Sequence, residues 1–305
     1  QTARFSQEGY QEQYIAHVKS LTTKPVVGVG RYTSPDAMVS AIKRGVMDLI
    51  GAARPSIADP FLPRKIEEGR FDDIRECIGC NICVTGDNLC VPIRCTQNPT
   101  MGEEWRKGWH PERIAPAQSK DTVLVVGAGP TGLELARALG QRGYEVALAD
   151  AGTRVGGRLI NDAALPGLAT WMRVADHRML QIQKMTNVNL YLDSRLSASE
   201  VLEFGFNRVF IATGARWRKD GLGRQHRTAI DGLANADVLP HVFSPDDVFA
   251  GAALPSSVLI YDDDHYYMAG VLAERLRKQG LEVHLVTPSA KVFEFTDMTM
   301  EQQRI

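Results

Sequence analysis

The chain has 305 residues, a length that suggests two domains, and its 44% hydrophobic and 23% charged content is that of an ordinary globular protein. Lysine and arginine number 35 against 36 acidic residues, so the net charge of -1 excludes a bulk electrostatic drive toward nucleic acid or an anionic membrane. No apolar run approaches the roughly 20 residues of a bilayer span, and the polar start from Gln1 to Gln13 carries no signal-peptide pattern, so a cytoplasmic location is expected.

Residues Glu8 to Leu21 read as a helix, with Tyr14, Ile15, Val18 and Leu21 at helical spacing. Lys24 to Gly30 is a short apolar strand ending in glycine. Ser34-Pro35-Asp36 then opens a helix whose apolar face is Ala37, Met38, Ala41 and Ile42. Asp48 to Arg54 reads as a second buried strand, and a helix follows from about Pro60 to Gly69. The resulting αβαβα order is the tail of a parallel β/α array. Cys77 to about Lys120 has little periodicity, and a loop that long is functional or disordered; its cysteines and aromatics favour function. From Asp121 the pattern becomes strand (Thr122 to Val126), turn (Gly127 to Gly132), helix (Leu133 to Arg142) and strand (Glu145 to Ala149). A strand at Arg208 to Ala212 precedes a second such unit, with strands Ser257 to Tyr261 and Glu282 to Val286 around a helix from about Met268 to Gln279. Gln1 opens without an initiator Met and Met298 to Ile305 ends without a closing element, as expected of a piece of a longer protein.

All five cysteines lie between Cys77 and Cys95, a clustering that points to metal rather than to a disulfide framework. Cys77, Cys80 and Cys83 form C-x2-C-x2-C, and Cys95 follows after eleven residues. That spacing suits three corners of a [4Fe–4S] cubane, with the distant cysteine at the fourth. Structural zinc usually takes two separated pairs, and buried free thiols are the remaining alternative. Cys90 is read as a non-ligand, although a swap with Cys95 stays open. Gly28, Gly30 and Arg31 at one strand end, and Ala53 and Arg54 at the next, have the composition of a phosphate site at the mouth of a β/α array.

Gly127-Ala128-Gly129-Pro130-Thr131-Gly132 is G-x-G-x-x-G between a strand and a helix, and Asp150 ends the following strand. The glycines and the helix start would hold a pyrophosphate and the acid a ribose, so an adenine nucleotide, ADP or FAD, is the expected ligand. Gly156-Gly157-Arg158 and Ala212-Thr213-Gly214 are candidate accessory turns. The second unit instead turns through Asp262-Asp263-Asp264-His265, where like charges would repel a pyrophosphate, so no ordinary NAD(P)H site is expected there. A metal site and helix N-caps are the alternatives for these acids.

Several stretches together resemble the iron–sulfur, trimethylamine dehydrogenase-like branch of the old yellow enzyme (NADH:flavin oxidoreductase) family. They are Gly28 to Met38, Ala52 to Leu62, Cys77 to Cys83, Cys95 to Asn98, Gly102 to Pro111, Gly127 to Gly132 and Ala212 to Trp217. Within the branch the chain looks most similar to the large subunit of dimethylglycine demethylase. The resemblance implies an α/β protein: the C-terminal part of a TIM (β/α)8 barrel that binds FMN (1–75), a [4Fe–4S] loop (76–120) and a truncated Rossmann-like FAD/NAD(P)-binding domain (121–305). It implies that Gly30, Arg31, Ala53 and Arg54 hold the FMN phosphate, that Cys77, Cys80, Cys83 and Cys95 hold the cluster, and that the catalytic pocket lies upstream. The implied activity is oxidative N-demethylation of an amine or amino acid, with electrons passing to an electron-transfer flavoprotein-like acceptor or partner subunit, in a homo- or hetero-oligomer. The alternatives are an NAD(P)H-dependent enoate or dienoyl-CoA reductase and a non-catalytic electron-transfer module. Two departures stand out: Asp87 or a neighbour replaces a cation-binding aromatic, and Arg173 replaces a surface tyrosine of the electron exit.

Overall fold

The computed structural model describes residues 2–233 and 239–305, so Gln1, the first residue of the polar start, lies outside the described residues. The chain divides into two compact units, Gln1–Asp162 with Thr170–Gly214, and Ala163–Ala169 with Ala215–Ile305. Among the described residues no helix is long and apolar enough to cross a membrane.

The first unit begins with the β/α array. Strands β1 (Val27–Gly28) and β2 (Leu49–Ile50) pair in parallel, with Val27 opposite Leu49 and Gly28 opposite Ile50. Helix Pro35–Lys43 crosses between them; Ser34 caps it by accepting from the Ala37 N–H, and proline sits at its first position. Val26, Tyr32, Met38, Ala41, Met47, Leu62 and Ile74 form one core here. A Cβ at Gly28 would lie 2.5 Å from the Met47 sulfur and 2.8 Å from the Ile15 Cδ1, so the end of the Met47 side chain occupies the space that glycine leaves. The expected helix over 8–21 is a single α turn, Glu12–Ile15, continuing as a 3-10 turn, Ala16–Leu21. Ile15 and Val18 pack on the core while Tyr14 and Leu21 stay exposed, so the apolar stripe is too narrow to hold a long helix.

The same unit contains a four-stranded parallel sheet in the order β5-β4-β3-β6. Its strands are β3 (Thr122–Val126), β4 (Glu145–Ala149), β5 (Val188–Tyr191) and β6 (Arg208–Ile211). Helix Pro130–Arg142, closed by Gly143 at φ 96°, covers this sheet, and helix Arg173–Gln183 packs against that helix. The core runs through Val123, Val125, Leu133, Ala136, Val146, Leu148, Val174, Ile182 and Val188. Ile78 and Cys80 of the thiol loop belong to the same cluster, which roots that loop on the sheet layer.

In the second unit, β7 (Ser257–Tyr261) and β8 (Glu282–Val286) pair in parallel around helix Tyr267–Lys278, a βαβ unit whose helix buries Met268, Val271, Leu272 and Leu276. The strands of both βαβ units match the sequence pattern, while the first helix begins at Pro130, three residues ahead of the expected Leu133, because the proline opens it inside the glycine turn.

Candidate functional site

Cys77, Cys80, Cys83 and Cys95 line one pocket together with Arg54, Asn81 and Gln97, while Cys90 stands exposed outside it. The pocket is built by turns rather than by regular elements. Gly79 takes φ 65°, and its missing side chain is needed because a Cβ would come within 2.8 Å of Ala3; the Ala3 N–H donates to the Gly79 carbonyl at 2.9 Å. Asn81, also left-handed at φ 59°, starts the short helix Ile82–Asn88 and carries Cys83 into the pocket. The Gly79 N–H points at the Cys77 sulfur (3.3 Å), the Gln97 N–H at the Cys95 sulfur (3.4 Å), and the Thr96 hydroxyl lies 3.2 Å from Cys80. Burial pushes the Cys77, Cys83 and Cys95 thiols up, while the Arg54 charge works the other way at Cys77 and Cys83. The donors therefore already aim at thiolates that only a bound cation would make favourable. Among the described residues no three His, Cys, Asp or Glu side chains converge as a single ion requires. The four thiols line one pocket, and a C-x2-C-x2-C triplet with one distant cysteine suits a polynuclear centre better than the two separated pairs usual for structural zinc.

The wall behind Cys95 is a buried polar network absent from the sequence reading. Arg178 donates to the Gln97 side-chain oxygen at 2.9 Å and lies 2.8 Å from Glu134, while Gln97 donates to the Glu76 carbonyl at 3.0 Å. Arg75, Arg137 and His177 are buried alongside. Burial, followed by the charges of Arg75, Arg178 and Arg137, pulls His177 down to about 3, so the ring is neutral at neutral pH. Arg173 ion-pairs with Glu76 at 2.9 Å and donates to the Cys77 carbonyl at 3.1 Å, which ties it to the thiol loop. Asp87 sits exposed toward the end of helix Ile82–Asn88.

At the first strand end, Arg31 is held at φ 60° with its Nε and Nη1 buried and without a hydrogen-bond partner. A guanidinium edge desolvated without an acceptor is costly, and an anion there would satisfy it. Gly30 has a second reason to be glycine: a Cβ would meet the Gly9 Cα at 3.2 Å, and the Gly9 N–H donates to the Gly30 carbonyl at 2.8 Å. The expected strand over 48–54 ends at Ile50, and Ala53 and Arg54 instead open helix Ala53–Ala58, whose first turn turns Arg54 toward the thiol pocket.

In the dinucleotide turn, Gly127 has φ 108°, and a Cβ there would lie 2.3 Å from the Ala212 carbonyl oxygen. At Gly132 a Cβ would lie 1.7 Å from the Gly127 carbonyl oxygen, so the helix can approach the strand only without a side chain. Gly129 faces open space, with the Gly157 Cα 4.0 Å from its would-be Cβ, and the Gly156 N–H donates to the Ala128 carbonyl at 2.8 Å. Asp150 accepts from the Ala128 N–H at 2.6 Å and the Gly152 N–H at 2.7 Å, so it braces the turn while a carboxylate retains acceptor capacity for a ribose.

The corresponding turn of the second unit is filled by the chain itself. Asp263 accepts from the Gln225 and His226 N–H groups at 2.9 and 3.0 Å, and Gly223 packs so closely that a Cβ would meet the Asp263 carboxylate at 2.2 Å. Asp262 accepts from the Asp264 and His265 N–H groups at 3.2 and 3.0 Å in an Asx-type turn, and the helix N-cap is Tyr266, with no side-chain cap, so the acids do not cap the helix.

A β/α array, a pocket of four thiols and a glycine-turn βαβ domain in one chain are the layout of a flavin-dependent oxidoreductase. Residues 1–73 match the NADH:flavin oxidoreductase / NADH oxidase family, and residues 121–303 match the pyridine nucleotide-disulphide oxidoreductase family. Dimethylamine dehydrogenase of Hyphomicrobium sp. (strain x) is 47% identical over 292 residues, 93% of this chain and 39% of that protein. N,N-dimethylglycine/sarcosine dehydrogenase of Chromohalobacter salexigens is 30% identical over 90% of this chain and 39% of its own length. Among solved structures, histamine dehydrogenase from Rhizobium sp. 4-9 superposes with a TM-score of 0.94 at 54% identity, covering 100% of this chain and 44% of that one. The chain thus spans about two fifths of the length of the curated relatives it matches. It belongs to the iron–sulfur branch of the NADH:flavin oxidoreductase (old yellow enzyme) family, and joins part of a TIM barrel to a Rossmann-like domain of the pyridine nucleotide-disulphide oxidoreductase family.

Proposed function

We propose that the full-length protein oxidises an amine at a carbon bound to nitrogen, and that these residues form its electron-exit half. The carrying observation is that Cys77, Cys80, Cys83 and Cys95 line one pocket that also takes in Arg54. In this reading residues 1–75 end an FMN barrel, 76–120 hold a [4Fe–4S] cluster and 121–305 form the nucleotide domain. Arg31, whose buried nitrogens lack an acceptor, would bind the FMN phosphate, with Arg54 and the backbone at Gly30 and Ala53. The four thiolates would hold the cluster, oriented by the Gly79 and Gln97 amides. An adenine nucleotide, ADP or FAD, would lie on the Gly127, Gly129 and Gly132 turn with Asp150 at its ribose.

Bound flavin would supply a two-electron acceptor and the cluster a one-electron relay. On the substrate, a C–H bond of an N-methyl group breaks with both electrons leaving, and the nitrogen lone pair forms C=N. Water then adds and the C–N bond breaks, giving the shorter amine and formaldehyde. This chain's residues contribute placement: the buried Arg178–Gln97–Glu134 network fixes the Cys95 turn, and the apolar cluster around Ile78 and Cys80 keeps water from the pocket floor.

Because Asp263 and the Gln225–His226 amides close the second turn, electrons would leave to a protein acceptor, an electron-transfer flavoprotein or a partner subunit, rather than arrive from NAD(P)H. An oligomer in the cytoplasm completes the reading. Anaerobic titration of the full-length protein with dimethylamine, dimethylglycine and histamine should bleach the flavin with one of the amines, and NADPH should leave it oxidised. Bleaching by NADPH and by no amine would reverse the proposed direction of electron flow.

A further inference from the structure

The one charged side chain other than the thiols in the pocket lining is Arg54, and it arrives from a different part of the chain from the cysteines. Its Nη1 donates to the Asn81 side-chain oxygen. Asn81 sits between Cys80 and Cys83, 2% exposed, in a left-handed conformation that asparagine tolerates better than most residues. Its own carbonyl accepts from the Thr85 N–H at 3.0 Å, which fixes the residue as the first turn of helix Ile82–Asn88. The asparagine therefore serves two ends at once: its backbone aims Cys83 into the pocket, and its side chain pins a guanidinium over the same space.

We infer that the Arg54–Asn81 pair is a positioning device that sets the reduction potential of the centre held by Cys77, Cys80, Cys83 and Cys95. The inference rests on the proposed cluster and adds a role for Arg54 beyond phosphate binding. Adding an electron to an assembly of thiolates and sulfides makes an anion more anionic. A cation fixed in a poorly solvated pocket favours that reduced form, because the surroundings screen it less than water does. The guanidinium that Asn81 holds belongs to the lining of the pocket itself, so its charge acts at short range on the centre.

The test is an EPR-monitored redox titration of the full-length holoprotein as wild type, Arg54→Gln, Arg54→Lys and Asn81→Ala, with iron, sulfide and FMN measured in each. Arg54→Gln should lower the equilibrium constant for one-electron reduction of the cluster at least tenfold, which is about 59 mV. Arg54→Lys should retain most of the wild-type value, because it keeps the charge. Asn81→Ala should fall between them, since the charge stays but is no longer pinned. An unmoved midpoint in Arg54→Gln with iron intact overturns the inference, as does an equal shift in Arg54→Gln and Arg54→Lys. If Arg54→Gln fails to assemble, Asn81→Ala decides: a fall of about threefold or more supports the inference, and an unmoved midpoint overturns it. Wild-type protein without iron would instead overturn the cluster reading itself, and this inference with it.

Discussion

Gly132 and Gly129 belong to one motif yet should fail in opposite ways when each is replaced by alanine. At Gly132 the added Cβ would stand 1.7 Å from the Gly127 carbonyl oxygen and 2.9 Å from its carbon, both rigid backbone atoms. Restoring an ordinary contact means moving the helix start away from β3 by roughly 1.5 Å, an overpacking whose usual cost is about 1–3 kcal/mol, here at the upper end. In a unit of this size each kcal/mol shifts Tm by about 2–4 °C, so Gly132→Ala should melt about 6–12 °C below wild type. Gly129 has φ -73° and ψ -178°, open to alanine, and no heavy atom stands nearer than 4.0 Å to its Cβ position. Gly129→Ala should therefore melt within about 1–2 °C of wild type while its methyl blocks the approach of a pyrophosphate, lowering ADP affinity at least about tenfold. Differential scanning calorimetry and calorimetric ADP titration measure both. A wild-type Tm for Gly132→Ala, or unchanged ADP binding by Gly129→Ala, would refute the reasoning.

Three further outcomes can be checked. Lys65, 2% exposed, pairs with the fully buried Asp59 at 2.7 Å and with Glu112 and donates to the Asp73 carbonyl, so Lys65→Met leaves Asp59 only its Phe61 and Arg75 amide donors and should cost about 3–5 kcal/mol in urea unfolding; an unchanged urea midpoint would contradict this. His177 lies at about 3 in the folded protein against 6.5 for the ordinary side chain, so its contribution is fully present above pH 6.5 and declines as pH falls toward 3. At pH 5 that loss is about 2 kcal/mol, and His177→Leu should flatten the stability profile between pH 7 and 5; an unchanged slope would show the ring to be protonated in the fold. Asp263→Ala leaves the Gln225 and His226 amides without their acceptor, so their hydrogen exchange should accelerate by an order of magnitude or more while NADPH still fails to bleach the flavin.

The βαβ units were legible because each reads as strand, turn, helix and strand; in the first the turn glycines answer backbone contacts at Gly127 and Gly132, and in the second the order of elements alone marks the unit. Thr122–Val126, Glu145–Ala149, Ser257–Tyr261 and Glu282–Val286 have the same limits in sequence and structure. The array strands shrink to Val27–Gly28 and Leu49–Ile50 because a strand extends only as far as its ladder partner, which the pattern of one segment does not disclose. Helix Ile82–Asn88 escaped notice since Thr85, Gly86, Asp87 and Asn88 are weak helix formers, and a left-handed asparagine, not periodicity, starts it. Helix Arg173–Gln183 buries His177 and Arg178 on the face that would ordinarily be apolar, so the hydrophobic pattern that marks other helices is diluted there. The spacing of the cysteines marked the thiol loop, yet it carried no sign of Arg54 and Asn81 in the pocket wall, one brought from a distant segment and the other placed by its backbone conformation, or of Arg178, which holds Gln97 from behind.

The most direct measurement is the metal and sulfide content of the full-length protein, with cysteine variants. Four irons and four acid-labile sulfides per chain are expected of one cubane. Cys90→Ser should keep them, and alanine at Cys77, Cys80, Cys83 or Cys95 should lose them. Zinc in place of iron, or a full complement of iron retained by all four alanine variants, would contradict the account.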